Sequence, residues 1–510
     1  MKGAILLGGT GSDVGKSVLV AGLCRWLSRC GVKVAPFKAQ NMALNSVVTP
    51  DGGEIGRAQA AQAAAAGVAP EVAMNPVLIK PTGERHSQVV VMGRAAFNAS
   101  ARSYRDHGAE LLPVVIEAFS DLSSRFDVVV CEGAGSIAEM NLRRGDLANL
   151  GLARALDLPV VVVGDIDRGG VFAAFYGSLA LLEAADQAHV AGFIVNRFRG
   201  DRGVLAPGLR QLAALTGRPV LGVLPHQDGL WLDAEDSLSL DVGGWDRGGG
   251  GTIDALDVVV VRLPRISNFT DVDALTVEPG VSVRFSTSPA AIARADLAIL
   301  PGSKSTVDDL SWLRRMGIAG ALLERAAACR PILAVCGGYQ MLGRRIVDEF
   351  ESGAGEVDGI GLLPVETRFE PTKHLDRPMG VCPFLGWVDA SGYEIRHGRT
   401  RVAGDTPFLV AVDGSPEGCV VGSVIGTSWH GLLEGDVLRR ALLRWVADTT
   451  GRDWRPGIRP FEAVREERLD RLGDLVAAHL DTEALTALID RGPASGLPLV
   501  PPAGVPEVGR

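Results

Sequence analysis

A chain of 510 residues exceeds what one ordinary hydrophobic core supports, so two domains and a further tail are expected. With 47% apolar and 22% charged residues the composition is that of a soluble globular protein, and no apolar run reaches the roughly 20 residues a membrane helix needs. The net charge of -9 argues against a general nucleic-acid binder, which depends on clustered Lys and Arg.

The first apolar run, Ala4–Leu7, leads directly into Gly8-Gly9-Thr10-Gly11, so it reads as a buried strand feeding a loop rather than as a cleavable leader. The loop Gly9-Thr10-Gly11-Ser12-Asp13-Val14-Gly15-Lys16-Ser17 then opens a helical pattern over Ser17–Arg29. A strand, a Gly-rich turn and Lys-Ser at a helix start form a phosphate-binding loop, because the helix N-terminus offers free N–H groups and a favourable dipole. Thr10, Ser12, Gly15, Lys16 and Ser17 are the expected nucleotide contacts, with Lys16 on the β/γ phosphates and the Ser17 hydroxyl on Mg²⁺. Thr10 stands where the usual motif has glycine, and this variant pattern resembles the dethiobiotin synthetase group, which makes acyl or carbamate phosphates.

Further strands are expected at Val32–Pro36, Asp127–Cys131, Val160–Val163 and Gly192–Val195, separated by helices. Continuous β-branched runs in this rhythm imply an α/β fold with a parallel sheet covered on both faces. Lys38, past the second run, is placed to steady a transferred phosphoryl group. Glu132, at the end of the third, is placed as a second metal contact beside Ser17. Residues 1–240 form this ATP-binding domain, and the glycines of Asp241–Thr252 mark a linker.

A second α/β domain is expected over 253–450, with strands at Asp257–Arg262, Leu297–Leu300 and Ile332–Val335. The last runs into Cys336-Gly337-Gly338, a strand–nucleophile–helix pattern whose glycines allow the tight turn that presents a thiol. The Gly337 N–H and the turn around Gly302 are the expected oxyanion donors, and His430 is the expected base. The other six cysteines, Cys24, Cys30, Cys131, Cys329, Cys382 and Cys419, read as small buried hydrophobes. No Cys-x-x-Cys or zinc cluster occurs, which fits a reducing cytoplasm.

This order and spacing resembles class I glutamine amidotransferases, with two departures. Ala334 stands where glycine is usual, and Leu432 stands where an acid usually follows the histidine, leaving Glu434 as a weak substitute and a Cys–His dyad as the expectation. Residues 451–510 are expected to hold one or two amphipathic helices over 466–490. A Pro/Gly-rich tail, disordered in part, would follow from Gly492.

Taken together, Gln40–Asn45, Glu54–Gln59, Met74–Pro76, Glu132–Ser136, Asp165–Gly170, Asn196–Asp201, Leu263–Asn268, Leu300–Thr306 and Tyr393–Ile395 resemble the cobyric acid synthase family over nearly all of 1–450. The resemblance implies amidation of four peripheral carboxylates of adenosylcobyrinic acid a,c-diamide, consuming glutamine, ATP and Mg²⁺. It also implies Asn196 near the adenine and Asn41 and Asp146 on the substrate side. Rival expectations are an amidotransferase acting on another carboxylate, such as cobyrinic acid or a cell-wall precursor, and a partitioning-type ATPase switch. The oligomeric state is left open.

Overall fold

Six strands organise the first domain: β1 (Gly3–Gly9), β2 (Val34–Phe37), β3 (Val128–Glu132), β4 (Val160–Asp165), β5 (Val190–Phe198) and β6 (Val220–Pro225). In this computed structural model, which describes every residue except 84, 85, 228, 229, 231–254, 405, 494 and 505–510, they form one sheet in the order β6-β5-β4-β1-β3-β2. Every neighbouring pair is parallel. β2 lies further along the chain than the predicted Val32–Pro36 because the Val32 N–H turns back to the Leu27 carbonyl (3.1 Å) and closes the preceding helix.

Helix α1 (Lys16–Arg29) follows β1, and α2 (Arg57–Ala66) lies beside α1. Strands β1, β3, β4 and β5 alternate buried side chains between the two faces of the sheet, as a parallel sheet clothed on both sides requires. One face packs against α1 and, unexpectedly, against the C-terminal helices.

Helix Phe461–His479 lies along α1, and Gly22 permits the approach: a Cβ there would stand 2.8 Å from the Leu472 carbonyl oxygen. Arg25 pairs with Glu466 (2.7 Å) and Asp470 (2.8 Å), and Arg29 with Asp474 (2.7 Å). Helix Thr482–Arg491 then packs at the foot of β1, where the Lys2 N–H donates to Asp490 Oδ1 (2.9 Å). Val500 is buried and exchanges two 2.9 Å hydrogen bonds with the Gln187 side chain, because Pro-rich sequence can be held by backbone bonding without forming an element. The predicted linker Asp241–Thr252 lies outside the described residues.

In the second domain β7 (Leu256–Val261), β8 (Val281–Ser286), β9 (Leu297–Leu300), β10 (Ile332–Val335), β11 (Cys419–Val421) and β12 (Val424–Thr427) form a sheet in the order β8-β7-β9-β10-β12-β11. It is parallel except for the edge pair β11–β12. Helix α3 (Gly337–Leu342) follows β10. Two four-stranded, largely antiparallel sheets, between Arg345 and Glu417, are added to this frame; the sequence reading did not anticipate them.

The domains meet through a hairpin of the first, Ser46–Val48 paired with Glu54–Gly56. Its Val47, Val48 and Ile55 share an apolar cluster with Tyr393 and Ile395 of the second. Glu54 is fully buried between Lys80 and Lys373 (2.5 Å each). Burial pushes its carboxyl up, but the two ammonium groups outweigh this and hold it well below the carboxylate range; burial brings Lys373 down to about 7.

Two of the six cysteines read as buried are exposed. Cys30 closes α1 and Cys329 takes a left-handed conformation at a helix end, positions set by chain termination rather than packing. Among the described residues no cysteine pairs with another, and no helix is long and apolar enough to cross a membrane.

Candidate active site

The chemistry-bearing turns sit at the C-terminal ends of parallel strands, where loops converge over the sheet edge. At the end of β1 the loop wraps so that Lys16 Nζ donates to the Gly11 (2.8 Å) and Gly135 (2.9 Å) carbonyls. Gly15 has φ 97°, and a Cβ there would lie 2.1 Å from Asn196 Nδ2, which donates to the Val14 carbonyl (2.9 Å). Thr10 bridges to Ser136, and Ser12 lies in the exposed part of the loop.

Glu132, at the end of β3, is the hub. Its Oε1 accepts from Ser17 Oγ (2.8 Å) and Lys38 Nζ (2.7 Å), and its Oε2 from Gln62 Nε2 of α2 (2.5 Å). Burial pushes this carboxyl up, but the Lys38 charge and the three donors prevail and keep it ionised below its ordinary value. The structure thus brings together Ser17, Lys38 and Glu132. Sequence reasoning missed Gln62, a glutamine in an alanine-rich helix that no spacing marks. An ionised carboxylate beside a hydroxyl is the hard oxygen set that suits Mg²⁺.

In the second domain β10 ends at Cys336, whose φ of 48° and ψ of -108° are strained for a residue with a Cβ. Such strain at a strand–helix junction is what presents a nucleophile. The Cys336 N–H is fixed on the Thr427 carbonyl (2.8 Å), and Sγ lies 3.9 Å from the Ile395 carbonyl oxygen. Ala334, the departure from glycine, fits because Gly426 stands opposite it on β12 and the Tyr339 ring occupies the space there.

His430 is 1% exposed, and Cys336 is near enough to act on its charge. Its Nδ1 lies 2.7 Å from Asp271 Oδ2, while Asp271 Oδ1 accepts from the Gly431 N–H (2.8 Å). Burial pulls the imidazole down, but Asp271 and Cys336 outweigh it and raise it to about 10. The Tyr393 ring stacks on His430 with centroids 5.4 Å apart.

The expected dyad is therefore corrected to a constellation of three. The acid comes from the segment Phe269–Val277, not from beyond the histidine, and Glu434 turns away to Arg57 and Arg465 (3.2 Å). Asp271 lies three residues past the Leu263–Asn268 segment, and no spacing rule extends to it. Of the oxyanion candidates, a Cβ on Gly337 would lie 2.8 Å from the Ser303 nitrogen, and one on Gly302 would lie 3.0 Å from His430 Cε1. The two turns therefore flank the site.

Asn41 and Asp146, the residues expected on the substrate side, both make structural hydrogen bonds within the first domain. Asn41 is buried and donates to Gln59 Oε1 of α2 (2.8 Å). Asp146 accepts from the N–H groups of Ala148 (3.0 Å), Asn149 (2.9 Å) and Gly151 (2.9 Å), so in this structure it shapes the turn into helix Leu150–Leu156.

Comparison with known proteins agrees with this division. Residues 5–240 match the model described as CobQ/CobB/MinD/ParA nucleotide binding domain, and 257–437 that of the CobB/CobQ-like glutamine amidotransferase domain. Over 98% of the chain, the sequence is 58% identical to the cobyric acid synthase of Frankia casuarinae, covering 99% of that protein. It is also 56% identical to those of Saccharopolyspora erythraea and Nocardia farcinica, covering 97% and 99% of them. With a nucleotide loop and a cysteine–histidine–aspartate site in one chain, and full-length relatives at this identity, the protein belongs to the cobyric acid synthase family.

Proposed function

We propose that the chain amidates, with ATP and glutamine, the four peripheral carboxylates b, d, e and g of adenosylcobyrinic acid a,c-diamide to give cobyric acid, and that it works in the cytoplasm. The observation that carries the reading is the presence of two complete strand-end sites in one chain, Lys16–Ser17–Glu132–Lys38 and Cys336–His430–Asp271. The acceptor follows from the family; the two half-reactions follow from the residues.

A carboxylate resists ammonia because oxide is a poor leaving group. Transfer of the ATP γ-phosphoryl group to a carboxylate oxygen gives an acyl phosphate; ammonia then attacks the acyl carbon and phosphate departs. The phosphate loop and Lys16 bind the triphosphate, Lys38 steadies the phosphoryl oxygens, and Asn196 lies on the nucleotide side. Ser17 and Glu132 would hold Mg²⁺, which when bound offsets phosphate charge. Asn41 and Asp146 are assigned to the acceptor side.

In the second domain the Cys336 thiolate attacks the glutamine amide carbon, and the amides at Gly337 and Gly302 receive the oxyanion. The His430 imidazolium gives its proton to the departing ammonia. Asp271 fixes the ring on Nδ1 and stabilises its charged form. Water then hydrolyses the thioester to glutamate, and ammonia passes between the domains.

The test is mass spectrometry of the a,c-diamide incubated with ATP and glutamine. Four successive amidations, each a fixed mass step, support the reading. An acceptor that stays unmodified while glutamine is consumed overturns it.

A further inference from the structure

The cysteine site is not self-contained. Two residues of the first domain hold, from outside, the two segments that carry its acid and its base. Asn45, fully buried, accepts the Phe269 N–H on its Oδ1 (3.1 Å), and reciprocally the Ser46 N–H donates to Asn268 Oδ1 (2.9 Å). Asn268 is left-handed (φ 51°), and its carbonyl accepts the Asp271 N–H (3.0 Å), so this clasp sets the turn that delivers the acid. Arg57, 7% exposed, pairs with Glu434 four residues past His430. The two anchor points are one: the Arg57 N–H donates to the Asn45 carbonyl (3.1 Å).

We infer that Asn45 and Arg57 of the ATP-binding domain are positioning residues for glutamine hydrolysis in the other domain, acting through Asp271 and through the segment that follows His430. The inference rests on the proposed roles of Cys336, His430 and Asp271. Arg57 opens α2, and Gln62 on the same helix donates to Glu132. At a 1.5 Å rise per residue the five-residue step from one to the other spans about 7.5 Å. One short rigid element therefore joins the carboxylate of the phosphate site to the clasp on the triad. A role confined to holding the domains together would not require both contacts to converge on the catalytic segments, since the apolar hairpin and the buried Glu54 pairs already supply adhesion.

The experiment is steady-state glutamine hydrolysis by the full chain, with kcat and KM determined separately for Asn45→Ala, Asn45→Asp, Arg57→Ala and Arg57→Lys. Both alanine variants are expected to lower kcat about 10–100-fold, the scale of small misplacements of reacting groups, with KM for glutamine nearly unchanged. Asn45→Asp keeps an acceptor for the Phe269 N–H and Arg57→Lys keeps a cation for Glu434, so both should recover most of kcat. Should Asn45→Ala fail to fold, Asn45→Asp decides. Near-normal kcat in it supports the inference, and a folded Asn45→Asp without hydrolysis overturns it, as do unchanged kcat values in both alanine variants. Cys336→Ala tests the underlying reading separately. Hydrolysis that survives in that variant removes the nucleophile assignment, whereas loss there with normal Asn45→Ala and Arg57→Ala removes only the positioning roles.

Discussion

Asp271 and His430 stand 159 positions apart in the chain and 2.7 Å apart in the fold. Because the same carboxylate also takes the Gly431 N–H, it fixes both the ring and the backbone that carries it. Asp271→Asn should keep the geometry but lose the charge and the fixed tautomer. Glutamine hydrolysis is expected to fall by about 100-fold or more, in line with such replacements in other triads.

The same substitution has a pH signature. His430 is raised from 6.5 to about 10 by Asp271 and Cys336, against the pull of burial. A raised folded-state value means that its contribution to stability is fully present below 6.5 and is lost as pH rises through about 10. In Asp271→Asn the alkaline limbs of both hydrolysis and stability should move toward neutrality. Thermal unfolding and kcat measured from pH 6 to 10 check this, and limbs that stay in place would show that Asp271 does not charge the ring.

The two halves should separate chemically. Cys336→Ser is expected to abolish glutamine-dependent amidation and to leave amidation by added ammonium salt. Lys16→Ala should remove both. Labelled glutamine with unlabelled ammonium in competition reads the path between domains. Retention of the ¹⁵N label indicates a shielded route, and complete dilution indicates release to solvent.

Lys38 and Glu132 form a buried ion pair, so breaking it strands a charge. Glu132→Gln should destabilise the chain by roughly 3–5 kcal/mol, whereas Lys38→Met with Glu132→Leu should recover much of that while remaining without ATP-dependent amidation. Denaturant titration of the three proteins checks the first claim and amidation assays the second.

What the sequence disclosed follows from locality. The continuous apolar strands, the Lys16–Ser17 loop and the Cys336 elbow are each written within about ten residues, and the structure contains all three. Lys38 and Glu132 were also legible, because each lies just past a readable strand. Asp271 was not, since its partner is distant and its own segment has no periodic signal; Glu434 attracted notice only by closeness in sequence to His430. The helices near the C-terminus were visible as amphipathic patterns, but a pattern names no partner. Nothing local tells that Leu472 and Val476 lie against Gly22.

That packing has a consequence for how the molecule is made. The sheet that opens with Gly3–Gly9 is translated well before Leu472, Val476, Leu485 and Ile489, which clothe one of its faces and follow it by hundreds of residues. The nascent ATP-binding half must therefore wait, one apolar side uncovered, while the entire second domain is translated. Transiently uncovered apolar surface of this kind is what makes a partly folded chain prone to aggregate.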